Sequence, residues 1–283
     1  MQNPVEPSFV AIIGAGPLGG ALAHALAGRD QVREIRLIDA EERIATGKAL
    51  DILQSSPIES FSTRVIASGA LAAAAGAAVI VIADSAAGQG EHGGENGLAL
   101  LRQLKAIDNR APVVCAGGGQ RELIGRAVAE LHIAPSRILG SAPYALESAV
   151  RALAGLAIDA SGVEVGLRVV GIPPRAAVVA WEEASAFGQP ISAHLAPHEI
   201  AALNARLPEL WPPAPYALAS AATRVIEGIV RGSRRRFSCF VALPHQNVVA
   251  MPVELDQDGV RRVIEPALTR QERTKLENAI GKS

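Results

Sequence analysis

Three glycines, Gly14, Gly16 and Gly19, form a G-x-G-x-x-G turn, and Asp39 stands about 20 residues beyond the last of them. Such a turn can hold a dinucleotide. The first glycine permits the tight turn, the second admits a pyrophosphate to the backbone, and the third lets a helix pack on a strand. Pro17 and Leu18 lie between them and complete the candidate cofactor-binding set. An acid at Asp39 can bond a ribose 2′-hydroxyl and repels a 2′-phosphate, so the expected cofactor is NAD rather than NADP. A plain strand-to-helix turn is the alternative, and the spacing of Asp39 weighs against it.

Other ionisable groups are more ambiguous. His92 lies between Glu91 and Glu95 in a glycine-rich loop, where it is either an acid or base or a solvated loop residue. Arg175 and Arg151 can each bind an anion or simply pack, and Glu147 is by default a surface helix residue. His194, His198 and His245 have no ligand neighbours at useful spacing, so no metal is expected. Cys115 and Cys239 sit in apolar runs and read as buried free thiols in a reducing compartment.

The elements around these residues alternate. Phe9 to Ile13 is an uninterrupted apolar strand, and a helix follows to about Gly28, a residue suited to a left-handed helix end. Strands at 35–38, 65–66, 79–82, 112–116 and 137–139 are separated by helices at 41–53, 71–78, 95–107 and up to about Leu131. This is the pattern of a doubly wound parallel sheet over residues 1–140. Residues 141–283 read as a mixed α+β second domain. It has helices at 146–156 and 215–230, and strands at 163–171, 176–181, 237–243 and 248–255. Thr269-x-x-Glu272 is a capping box that opens a last helix, with Leu276 and Ile280 on one face.

Of the 283 residues 49% are hydrophobic and 19% charged, with a net charge of −1. That is an ordinary globular chain without the basic footprint of a nucleic-acid binder. No apolar run is long enough to span a bilayer, and the first one contains the glycine turn rather than a signal sequence. A cytoplasmic protein is expected.

Taken together, Gly14-Ala15-Gly16-Pro17-Leu18-Gly19-Gly20, Leu37-Ile38-Asp39, Gly47-Lys48-Ala49-Leu50-Asp51-Ile52 and Arg137-Ile138-Leu139-Gly140-Ser141 resemble the lactate/malate dehydrogenase family. Gly171 with Trp181, Tyr216-Ala217, and Pro252-Val253 before Asp258-Gly259-Val260 extend the resemblance along nearly the whole chain. It implies a Rossmann-type domain with NAD, a second substrate domain, and a homodimer or homotetramer.

The resemblance also implies a histidine base held by an aspartate, an arginine on the substrate carboxylate, basic residues on a mobile loop, and an asparagine after the fifth strand. Pro173 stands where the base belongs. Leu146 and Ala149 stand for the aspartate and arginine, or Glu147 and Val150 in a register shifted by one. Gly88 and Gly94 replace the loop arginines, and Gly118 the asparagine. No catalytic residue remains by the family pattern; His92, Glu147 and Arg175 are weak substitutes. Glycines at 117–119 are expected to widen the nicotinamide end of the cleft. The leading expectation is an NAD-binding protein that does not turn over malate or lactate. An oxidoreductase repurposed for an uncharged substrate and a structural subunit of a hetero-oligomer are the alternatives. Rescue is expected to need Pro173→His, Leu146→Asp and Ala149→Arg together.

Overall fold

The computed structural model describes residues 9–88, 90–108, 110–244 and 247–281; His245 lies outside them. In chain order the elements begin with β1 (Phe9–Ile13), α1 (Pro17–Ala27), β2 (Glu34–Ile38), α2 (Glu42–Glu59), β3 (Arg64–Ser68) and β4 (Val79–Ile82). Next come α3 (Gly94–Ile107), β5 (Val113–Cys115), α4 (Arg121–Leu131), β6 (Ile138–Gly140) and α5 (Ala142–Ala157). Then follow β7 (Val165–Gly166), β8 (Val169–Ile172), β9 (Ala176–Val179), β10 (Ser185–Ala186), β11 (Gln189–Pro190) and α6 (Pro197–Arg206). The chain closes with α7 (Pro215–Arg231), β12 (Arg236–Ala242), β13 (Val248–Asp256), β14 (Gly259–Val263) and α8 (Arg270–Gly281).

The first six strands are parallel in the order β3-β2-β1-β4-β5-β6. This is a Rossmann sheet, in which ligands bind outside the carboxyl ends of the strands at the β1/β4 switch point. Strands β1 and β4 are buried throughout, as their unbroken apolar runs require. The sheet does not stop at Gly140. Strand β12 pairs antiparallel with β6 through Phe240 and Gly140, and β13, β8 and β9, with β14 paired to β13, complete an 11-stranded sheet. The mixed second half is therefore fused to the first along one sheet, with no linker between them. One apolar core spans both halves, and a second gathers Leu146, Val150, Val169 and Leu203 under α5 and α6.

Several boundaries differ from expectation. Helix α2 runs past Leu53 to Glu59, with Pro57 inside its last turn, and ends at Ser60, which takes the left-handed conformation at φ 61°. The alanine-rich 71–78 segment forms only a 3₁₀ turn over Leu71–Ala74 before the chain turns at Gly76. Gly28 caps α1 in the right-handed region, and Asp30 takes the left-handed one. The strand expected at 163–171 is split: β7 joins a small sheet with β10 and β11, while β8 pairs with β13 and β9. Trp181 opens a 3₁₀ turn after β9. The capping box forms as expected, with Thr269 N donating to Glu272 Oε2 at 2.7 Å and Glu272 N to Thr269 Oγ1 at 3.3 Å. Among the described residues no helix is long and apolar enough to cross a membrane.

Candidate functional site

The glycine turn links β1 to α1 at the carboxyl edge of the sheet, where a doubly wound fold puts its ligand site. Helix α1 begins without a side-chain cap from Gly16, so its first amides need other acceptors. Asp84, two residues beyond β4, provides them. Its Oδ2 accepts from Leu18 N at 3.0 Å and its Oδ1 from Gly19 N at 2.8 Å, while its carbonyl accepts from Gly16 N at 2.9 Å. The carboxylate thus sits on the positive end of the helix, where an anion is most stable. A Cβ on Gly16 would lie 2.4 Å from the Asp84 carboxyl carbon, so the second glycine makes room for this side chain. Pro17 has no N–H to offer at the turn.

Asp39 ends one residue past β2, as the sequence predicts, and its carboxylate is turned onto the same loop. Oδ2 accepts from Ala15 N at 2.8 Å and Ala86 N at 2.9 Å, and Oδ1 from Glu41 N at 2.9 Å. Three of its roughly four lone-pair sites are taken by backbone. Burial pushes this carboxyl upward, but the three amides outweigh it and hold the group below the ordinary carboxylate range. Lys48 Nζ closes the outer side of the turn on Gly16 O at 2.8 Å.

The second nucleotide half, around β4, β5 and β6, is arranged in the same way. Glu91 reaches from the loop to Gly118 N and Gly119 N, both at 2.8 Å, just before α4 begins. A Cβ on Gly117 would lie 2.3 Å from the Glu91 carboxyl carbon. The glycines at 117–119 therefore do not widen the cleft; they make room for Glu91. Gln120 locks the arrangement, accepting from Gly117 N at 2.9 Å and donating to His92 O at 3.0 Å. His92 is half-buried rather than solvated. Burial lowers its pKa, only partly offset by the charges of Asp39 and Asp84. Gly88 and Gly94 are at turns with positive φ and carry no charge into the loop.

In the second half the sequence-predicted positions are occupied by packing. Pro173 is buried just past β8. Leu146 is fully buried in the second core, Val150 nearly so, and Ala149 is partly covered. Glu147, expected on a surface, is fully buried: Oε2 accepts from Ser238 Oγ at 2.6 Å and Oε1 from Arg168 Nη1 at 3.0 Å. Burial raises its pKa, against the pull of Arg168 and Ser238. Gly118 packs under Pro212. Arg151 bonds to the carbonyls of Val165 and Val163, which is packing rather than anion binding. Arg175 is exposed and lines a cavity of about 600 Å³ with Arg121, Trp181 and Lys275. Cys115 is buried in β5, which pushes its thiol up to about 12. Among the described residues no cluster of His, Cys, Asp and Glu is placed to hold a metal.

The sequence reading missed Asp84, Glu91 and Gln120. One signal was available: an acid directly after a buried strand, at the sheet edge that faces a helix N-terminus.

Sheet order, glycine turn and acid define a dinucleotide-fold protein of the Rossmann class. Residues 9–109 match the family model described as lactate/malate dehydrogenase, NAD binding domain. The chain is 26% identical to the malate dehydrogenase of Thermomicrobium roseum, covering 94% of this chain and 93% of that protein. Among solved structures, the malate dehydrogenase of Salinibacter ruber is similar with a TM-score of 0.86 at 22% identity, covering 97% of this chain and 94% of that one. The lactate dehydrogenase of Cryptosporidium parvum, complexed with lactic acid and NAD, gives 0.87 at 20% identity, covering 98% and 96%. Residues 9–109 carry the NAD-binding domain of the lactate/malate dehydrogenase family, and NAD is the cofactor of that domain.

The fold thus suits NAD, but the side chains do not fit a bound dinucleotide as they stand. The α1 amides that meet a pyrophosphate are bonded to Asp84, and Glu91 holds those before α4.

Proposed function

We propose that this protein is a nucleotide-binding member of the family that does not oxidise malate or lactate. The observation that carries the reading is Glu147. It is the one carboxylate that either register puts on α5, and it is turned into the core on Ser238 and Arg168. Pro173 can neither accept nor donate the hydroxyl proton, and no Lys or Arg occurs between Val65 and Leu101 to meet a substrate carboxylate. An anion entering such a cleft loses its hydration without gaining a partner. The test is NADH production from malate and lactate, and NADH consumption with oxaloacetate and pyruvate, at millimolar substrate. No turnover is expected, and robust turnover by the wild-type protein sinks the reading.

A second reading is favoured by the cavity at Arg175. Three cations, Arg121, Arg175 and Lys275, line it beside Pro174. If the site was rebuilt there, its ligand is anionic rather than uncharged, and Arg175→Ala abolishes whatever turnover a substrate screen finds. We also infer a homo-oligomer. Helix α2 exposes Leu50 and α7 exposes Tyr216, at 56% and 82%, an apolar surface suited to a second copy. Light scattering on the wild type and Leu50→Glu decides this, with a fall in mass expected for the variant.

A further inference from the structure

We propose that Asp84 and Glu91 are a built-in plug of the dinucleotide cleft, and that NAD enters only as the chain's own carboxylates leave. Each carboxylate does at its helix what a phosphate does: two oxygens take two backbone amides at the N-terminal end. The two sites correspond to the two mononucleotide halves of the fold, Asp84 at the β1 turn and Glu91 at the β5 turn. They lie on one short loop, pinned as a unit. Asp84 and Glu91 are bridged, Ser85 N bonds Gly90 O, Ala86 N bonds Asp39, and Gln120 holds His92 O.

The fit is specific. The space beside the glycines that would let a dinucleotide approach is filled by these side chains: a Cβ on Gly16 would lie 2.4 Å from the Asp84 carboxyl carbon, and one on Gly117 2.3 Å from that of Glu91. Competition is therefore direct: a pyrophosphate and the Asp84 carboxylate cannot both use Leu18 N and Gly19 N. An Asp84 side chain that stays nearby also repels the diphosphate. When the competent conformer is a minor fraction of the population, the apparent affinity falls by that fraction.

This inference concerns binding and is independent of whether malate is turned over. The test is calorimetric titration of the full-length wild type, Asp84→Ala and Glu91→Ala with NADH and with ADP-ribose, which lacks the nicotinamide. Asp84→Ala is expected to bind both ligands at least about tenfold more tightly than wild type. Glu91→Ala is expected to strengthen NADH binding and leave ADP-ribose within about twofold, since the second half of the fold is not used by that ligand. Wild-type affinity equal to that of Asp84→Ala overturns the plug, as does a folded Asp84→Ala that binds no better. If Asp84→Ala does not fold, Asp84→Asn decides. It keeps the volume and one acceptor oxygen, and a gain of about threefold or more supports the plug. An unchanged or weaker affinity refutes it. Turnover assays on the same samples separate a failure here from a failure of the non-catalytic reading.

Discussion

The two halves of the cleft handle charge in opposite ways. The nucleotide half holds negative charge where its ligand is negative: Asp84 and Glu91, together with Asp39 of the glycine-turn fingerprint, bond backbone amides there. The second half, on the proposed non-catalytic reading, carries no charge at the positions the resemblance assigns to substrate, where Pro173, Leu146 and Ala149 stand. Backbone amides hold carboxylates at the first end, whereas burial works against a carboxylate at the second, where Glu147 is enclosed. Charge at the sheet edge is cheap to hold because helix ends supply fixed partial charges. Charge inside α5 needs a counterion and a hydroxyl, which Arg168 and Ser238 supply to Glu147.

The largest effect is expected from trying to restore catalysis. Leu146→Asp places a second carboxylate in an apolar cluster next to the buried Glu147. A loss of more than about 3 kcal/mol is expected in urea unfolding, enough to cost the triple variant with Pro173→His and Ala149→Arg its fold rather than give it activity. A cooperative, active triple variant defeats the contrast between the halves. Next comes Arg168→Ala, which leaves Glu147 buried without its counterion. A loss of about 3 kcal/mol is expected, smaller at acid pH where Glu147 takes up a proton.

The same contrast predicts opposite pH dependence. The Asp39 carboxyl is lowered in the folded state, so its contribution is present above the ordinary carboxylate range and is lost as pH falls through the folded value. Glu147 is raised, so its contribution is present below that range and fades as pH rises through its folded value. Asp39→Asn should therefore flatten the acid side of the stability profile, and Glu147→Gln the decline above pH 5. Unfolding midpoints across pH 3 to 8 read both slopes, and matching slopes for the two variants contradict the scheme.

How far the sequence was legible follows the range of the interactions. The glycine turn, the alternating strands and the Thr269–Glu272 box are local, with every group that matters within a few residues, and they form where the pattern puts them. Asp84 is signalled only by its place after a buried strand, because its partners are backbone amides 65 and 66 residues away, which have no side-chain signature. Glu147 was misread for a similar reason. A glutamate on a helix is normally solvated, and only the approach of Arg168 and Ser238, 21 and 91 residues away, makes its burial tolerable. The glycines at 117–119 were read as empty space, since nothing in the sequence announces that Glu91 fills it.

The smallest expected effect supplies the control. Glu272 uses its carboxylate as Asp84 does, on backbone amides, accepting from Thr269 N at the start of α8 and from Trp181 N at 3.3 Å. It lies in the second half, packed beside β9 and away from the glycine turn. If carboxylate-on-amide bonds serve only to finish helix ends, then removing either should cost stability and nothing else. Thr269→Ala, which removes the other side of the box, should lose about 1 kcal/mol in thermal or urea unfolding, as caps generally do. NADH and ADP-ribose affinities should stay at the wild-type value. Asp84→Ala should show the reverse, a comparable loss of stability joined to a gain in affinity. A gain in affinity for Thr269→Ala would mean that loosening the chain anywhere opens the cleft, and Asp84 would then be an ordinary helix cap.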